Sequence, residues 1–497
     1  MSISQLGRRP SVGPAGVLAA TRRFNVLDEL RVPYAREDTE GPIEQWASLR
    51  GLDRSRSLHW FVGDGAAADG WSLGSVRIWG RVATDSSVAA LAGSLPGEWA
   101  RETPIVDRGG AVRSWIWRAS GGATILPFDP DETIANLRSE RYRARGDRAT
   151  SLTGSARRTY YAVRPVLPRP VQIGLRRAFS RLQARTVFPR WPVEPALHDL
   201  VDLVLQRAAD AAGEPVASIA PWPRGHTWAL VLTHDVETSH GRDAIEQVRA
   251  VEAPLGLRSA WNLVPERYEV PDSLVERLKA AGCEVGVHGL RHDGRDLDAW
   301  DTRESRLPEM QRWARRWGST GFRSPATHRV WEAMPKLGFA YDSSYPDTDP
   351  FEPMAGGCCS WLPFFNRDMV ELPITLTQDH TLFVILRRDE SLWREKVEFL
   401  RARGGMVLVI VHPDYMLEEG RLDAYRRLLE SLHDDREVWT ALPSEVADWW
   451  RRRAATSLHL VEGEWQPDGP AADEVAITCT APSQEHIAER PGGSHRV

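Results

Sequence analysis

The sequence predicts an α/β protein in which a parallel sheet or barrel is preceded by an α+β N-terminal domain. Three observations carry this. Between 226 and 455, short apolar runs alternate about seven times with stretches of helical spacing, as in successive β–α units. The runs are almost continuously apolar, as strands buried on both faces are. The runs also end repeatedly on a polar or ionisable group: Asp235 and Glu237, His288 and His292, Arg323, Asp342, and His412.

The expected strands and helices follow in order. Trp228-Ala229-Leu230-Val231-Leu232 leads into Thr233-His234-Asp235, and a helix follows over 241–253. Ser259 to Val264 precedes a helix at 272–281. Cys283 to His288 precedes one at about 301–317. Thr320 to Arg323 precedes one at 328–337. Phe339-Ala340-Tyr341 runs into Asp342, and Val370-Glu371-Leu372 is followed by a helix near 390–403. Met406 to Val411 ends at His412. Upstream, Leu58 to Val62, Val76 to Trp79 and Ser114 to Trp117 are β-like runs separated by Gly and Asp clusters. The expected organisation is a flexible segment at 1–45, an α+β accessory domain at 46–215, the barrel at 216–455, and a polar tail at 456–497 with one hairpin.

Composition bounds the function. A net charge of −5 gives no general attraction to nucleic acid. No run of about 18 apolar residues exists, so no transmembrane helix is expected. Val12 to Ala20 is short and broken by Pro14, which argues against a secretory signal. Four cysteines, with Cys358 and Cys359 adjacent, do not suit a disulfide framework, so a reduced cytoplasmic protein is the default, with peripheral membrane association as a second option. The 21 tryptophans read first as core filling and second as sugar-stacking rings. Arg138, Arg141, Arg143, Arg145, Arg148, Arg157 and Arg158 crowd one segment. A solvated helix face is the first reading, and a surface for lipid headgroups or acidic glycans the second.

The strand-end groups carry the chemistry. In an α/β barrel the C-terminal strand ends share one face, so these residues converge although they are distant in sequence. His288 and His292 form a weak signal alone, since 14 histidines in 497 residues make chance pairs common. Two imidazoles and one carboxylate leave a fourth position open, as in a catalytic rather than a structural zinc site. Such a metal acidifies water into a nucleophile at neutral pH. A second carboxylate serves as general base, an arginine orients it, and a further His protonates the leaving group. Together these describe metal-assisted hydrolysis of an amide or ester.

Leu232 to Glu237, His288 to His292, Phe322-Arg323-Ser324-Pro325 and Ile410-Val411-His412-Pro413 resemble, in order and spacing, the motifs of the polysaccharide deacetylase family with its NodB-type fold. The resemblance covers about 226–455. It implies a distorted (β/α)7-type barrel, a divalent metal, commonly Zn2+, and removal of acetyl groups from saccharides, with an acetylated saccharide or lipid-linked glycan as partner. It implies metal ligation by Glu237, His288 and His292, catalysis by Asp235 as base and His412 as acid, and support from Arg323 and Asp342. Two departures stand out. Val236 separates the acids of the first motif, which leaves open an exchange of roles between Asp235 and Glu237. Ala326 replaces a common Tyr, though its backbone N–H can still serve an oxyanion. Asp342 is matched to His412 by position alone. Asp379-His380 is either a cleft lining or a turn. The alternatives are hydrolysis of a non-sugar or cyclic amide, and a silent module that binds glycan or metal.

Overall fold

The computed structural model describes residues 26–36, 43–47, 57–62, 66–67, 70–144, 168–297, 300–418 and 420–483. The chain divides into two compact, discontinuous units. One comprises 1–137, 195–220 and 452–497; the other comprises 138–194 and 221–451.

The second unit carries the predicted alternation. Its parallel strands are β1 (Trp228–Val236), β2 (Ser259–Leu263), β3 (Glu284–Val287), β4 (Gly321–Phe322), β5 (Tyr341–Asp342), β6 (Met369–Glu371) and β7 (Met406–Val411). They pair in the order β6-β5-β4-β3-β2-β1-β7, every neighbouring pair parallel. Phe364–Asn366 adds an antiparallel strand outside β6, and Val438–Thr440 lies beside the start of β1. No strand ladder joins β6 to β7. Instead, Leu376 N–H donates to Leu408 O at 3.2 Å, and the Thr375 hydroxyl donates to Met406 O at 2.8 Å.

Helices α1 (Arg169–Gln183), α2 (Ser239–Glu252), α3 (Asp272–Ala280), α4 (Trp300–Trp317), α5 (Ser391–Ala402) and α6 (Arg421–Glu430) belong to this unit. Thr238 caps α2 by accepting from the N–H groups of His240 and Gly241, so the carboxylates beside that turn are not its cap. The helix expected at 328–337 is absent; only Met334–Leu337 forms a single 3₁₀ turn. Pro335 lacks an N–H and its ring obstructs the preceding turn, and Gly338 takes a left-handed φ of 74° that ends the element. The core is apolar and rich in tryptophan. Trp228, Trp261, Trp317, Trp361 and Trp393 are fully buried, which agrees with core filling.

The first unit contains an eight-stranded mixed sheet that includes Ser57–Phe61, Thr124–Leu126, Val112–Ala119, Trp99–Val106, Trp71–Leu73 and Val76–Ile78. Helix Ala196–Ala212 belongs to this unit and buries Leu200, Val204 and Ala208. The expected boundaries at 215/216 and 455/456 are therefore corrected. Ile477–Thr480 pairs antiparallel with Val216–Ile219, so part of the expected polar tail is sheet. The expected hairpin is present as Ser457–Val461 with Glu464–Asp468. Val26 and Leu27 are buried, within the segment expected to be flexible; residues 1–25 and 484–497 lie outside the described residues.

Residues 138–194, expected in the accessory domain, pack with the second unit for polar reasons. Arg138 is 5% exposed, with its guanidinium 4.5 Å from the centre of the Phe364 ring, which corrects the solvated-face reading for this arginine. Arg145, Arg148, Arg157 and Arg158 lie outside the described residues. Tyr142 OH donates to Gly357 O at 2.5 Å. Glu140 receives two bonds from the Arg329 guanidinium, at 2.7 and 2.5 Å, with both side chains buried. Removing one member of such a pair strands a buried charge. Glu140→Ala should therefore destabilise the second unit by about 3–5 kcal/mol, read as a lower denaturant midpoint. A midpoint equal to that of the unaltered protein would contradict the assignment of 138–144 to this unit.

Candidate metal and catalytic site

The strand ends converge as the sequence predicts. β1 remains extended through Val236, so Asp235 and Glu237 emerge on one side. The following turn is held by Asp414, whose carboxylate accepts from Glu237 N–H at 3.0 Å and from the Thr238 hydroxyl. β3 delivers His288, and Gly289 then turns the chain at φ 63°. A Cβ on Gly289 would lie 2.4 Å from Asp296 Oδ2 and 2.7 Å from Pro325, so only glycine fits. His292 completes the turn.

Glu237, His288 and His292 each offer one ligand atom, all within 4.8 Å of one another. Glu237 Oε1 is 3.0 Å from His292 Nε2 and 3.9 Å from His412 Nε2. His288 Nδ1–H donates to the Arg323 backbone carbonyl at 3.0 Å, which leaves the lone pair on Nε2. That Nε2 is buried and has no hydrogen-bond partner. Burial holds the His288 pKa down to about 4, against the opposing pull of Asp235, so the ring is neutral at neutral pH. A buried lone pair facing carboxylates is costly unless a cation lies among them, so the donor set fits a divalent metal.

Asp235 stands beside this trio. It accepts from Asn262 Nδ2 at 2.8 Å and from Arg323 Nη1 at 3.3 Å, and His288 Nε2 is 3.9 Å away. Burial raises its pKa, but Arg323, His288 and His412 outweigh that and hold the carboxyl below the usual carboxylate range. Asn262 reaches Asp235 because Gly286 has no side chain: a Cβ there would stand 2.1 Å from Asn262 Oδ1. The other Arg323 amine donates to Thr233 Oγ1 and Ser343 Oγ at 3.1 and 2.9 Å, which locks the guanidinium across three strands. Glu237 is likewise held well below its ordinary range; burial opposes this, and His292, His412 and His288 overcome it.

His412 closes the site at the end of β7. The positional match of Asp342 to His412 does not hold. Asp379 is the partner: its carboxylate accepts from His412 Nδ1–H at 2.6 Å and from the His412 backbone N–H at 2.8 Å. Burial lowers the His412 pKa, but Asp379, Glu237 and Asp235 raise it to about 10. Asp342 is fully buried, accepts from the Ser344 hydroxyl at 2.7 Å and shares a hydrogen bond with the Glu371 carboxyl. It stays in the sheet behind Arg323 rather than reaching His412.

Asp379 is the residue that sequence reasoning left unassigned. Its place after the sixth strand was the available signal. Tyr415 was not singled out either; its hydroxyl donates to Glu237 Oε2 at 3.3 Å. His234 points away, bonded to Glu252 at 2.7 Å and stacked on Trp261, as its alternation with Asp235 requires. Ala326 and Thr327 adopt left-handed φ values of 54° and 50°. Cys358 and Cys359 are buried free thiols.

No protein-family model and no curated protein matches the chain. Solved structures similar to it include a candidate polysaccharide deacetylase from Mycobacterium smegmatis, at 21% identity and TM-score 0.41, covering 49% of this chain and 96% of that one. A second candidate polysaccharide deacetylase, from Pseudomonas aeruginosa PAO1, shows 16% identity and TM-score 0.39 over 46% of this chain and 92% of that one. An allantoinase shows 17% identity and TM-score 0.39 over 47% and 93%. The chain is similar, over about half its length, to polysaccharide deacetylases and an allantoinase.

Proposed function

We propose that this protein is a divalent-metal-dependent hydrolase that removes acetyl groups from an acetylated saccharide, by cleavage of a carbon–nitrogen amide bond. The reading rests on one observation above the others: a neutral, buried His288 Nε2 without a partner, converging with His292 and Glu237. Glu237, His288 and His292 would hold the metal. Two imidazoles and one carboxylate suit Zn2+. When bound, the ion supplies Lewis acidity, which makes water more acidic and polarises an acyl oxygen.

The chain's own groups have separate tasks. Asp235, ionised beside Arg323, accepts a proton from the attacking water. A carboxylate held this low is a weak base, so its role would depend on the acidity that a metal held by the ligand trio would give the water. His412, protonated at neutral pH, donates from Nε2 to the departing amine nitrogen. Asp379 keeps its ring oriented and charged. Arg323 orients Asp235, and its backbone carbonyl fixes the His288 tautomer.

Three outcomes test this. The purified protein should hold a stoichiometric divalent metal by elemental analysis and release acetate from an acetylated glycan, and His288→Ala should lose both. Acetate release that survives His288→Ala in metal-free buffer would overturn the metal reading. Asp235→Asn should keep the metal yet lower kcat by about 10²–10⁴-fold. Full activity there would reassign the base.

The third outcome concerns pH. His412 has a folded pKa raised to about 10, above its unfolded value. Its protonated form therefore adds stability that is complete below the unfolded pKa and disappears as pH rises through about 10. Asp379→Asn should lower that pKa, moving the alkaline limb of the pH–rate profile to lower pH and removing part of the stability at neutral pH. An unmoved limb would exclude His412 as the acid.

A further inference from the structure

Helix α1 leaves an apolar ridge facing water. Most such helices turn an apolar stripe to the core and a polar face to water. In α1 the inward side is held by polar bonds beside half-buried Ile173 and Phe179: Arg177 donates twice to Val384 O, at 3.0 and 2.8 Å, and buried Gln183 donates to Glu352 O at 3.1 Å. Ser180 is buried on the same side. The outward residues include Val171 at 45% exposure, Leu175 at 51% and Leu182 at 37%, with Ala178 between them. Positions 171, 175, 178 and 182 recur at helical spacing and form one ridge. Val187, just beyond the helix, is 73% exposed. Among the described residues, seven large hydrophobic side chains are exposed, and these four belong to 171–187.

Arginine flanks this ridge. Arg181 and Arg185 are exposed beside it. From 168 to 193 the sequence has six arginines and no aspartate or glutamate, in a chain whose net charge is −5. Charge segregated this far from the chain's own sign needs a partner of opposite sign. A second copy would set arginine against arginine. Nucleic acid would satisfy the arginines but leave an aliphatic ridge in water. An anionic bilayer satisfies both, since its headgroups pair with arginine while its acyl boundary takes the ridge. The helix has 15 residues, about 22 Å in length, and among the described residues no helix is long and apolar enough to cross a membrane.

We propose that the outer face of α1, Val171/Leu175/Ala178/Leu182 with Arg181 and Arg185, is a docking surface that lies in the headgroup region of an anionic membrane. The proposal stands whether or not the site described above hydrolyses amides. Its polar attachment to the 380–386 segment and to Glu352 keeps the ridge outward, so no unfolding is required to expose it.

Cosedimentation of the full chain with phosphatidylglycerol-containing vesicles tests it. The protein should pellet with these vesicles, and binding should weaken at least about tenfold on pure phosphatidylcholine and with added salt. Leu175→Glu with Leu182→Glu should abolish binding. Arg181→Ser with Arg185→Ser should reduce it by about tenfold or more. Leu417→Glu, at a 39% exposed leucine elsewhere, should bind as the unaltered protein does. Protein that stays in the supernatant, or α1 variants that pellet undiminished, would overturn the proposal. So would a dimer of the unaltered chain that Leu175→Glu converts to monomer, because the ridge would then belong to a second copy.

Discussion

Arg323 acts on the site from both its backbone and its side chain. Its carbonyl oxygen accepts the Nδ1 proton of His288, so the other ring nitrogen carries the lone pair. Its guanidinium holds Asp235 and is tied to Thr233 and Ser343, on or beside β1 and β5. The residue is 1% exposed. A cation buried this deeply costs several kcal/mol in desolvation, which only close partners offset. One residue therefore couples ionised Asp235, neutral His288 and the spacing of three strands. Loss of its backbone position would free the His288 ring to adopt the wrong tautomer, and loss of its charge would let burial raise Asp235.

The site separates two imidazoles by the same reasoning. His288 lies in a setting where burial dominates and keeps the ring neutral. His412 is buried just as deeply, but Asp379 bonds to its ring and to its backbone at once, and the ring stays charged. Identical side chains thus become a neutral ring and a charged one through their neighbours alone. Groups whose environments push their pKa values apart are the signature of acid–base assignment in an active site.

Much of this could be read in the linear order of residues. Strand runs such as Met406 to Val411 are apolar throughout and end abruptly at His412, and buried parallel strands require that pattern. The alternation of His234 and Asp235 separated the buried packing histidine from the site carboxylate, because a strand puts neighbours on opposite faces. The helix expected at 328–337 failed where Pro335 and Gly338 outweighed spacing. The domain boundaries failed because chain continuity is a poor guide when Glu140 and Tyr142 find their partners about two hundred residues away, at Arg329 and Gly357.

The sequence alone determined which residue types gather at the strand ends and that β1 carries two acids on one side, since strand period and burial are local matters. Tertiary structure decided the rest. It chose Asp379 over Asp342 as the partner of His412, because a hydrogen bond selects by distance in space rather than by order along the chain. It brought Glu237 together with His288 and His292, each offering an atom within 4.8 Å of the others. It also left an apolar ridge of α1 outward: periodicity shows that a helix has more than one face, but the donors and acceptors on the body it meets help decide which face is buried.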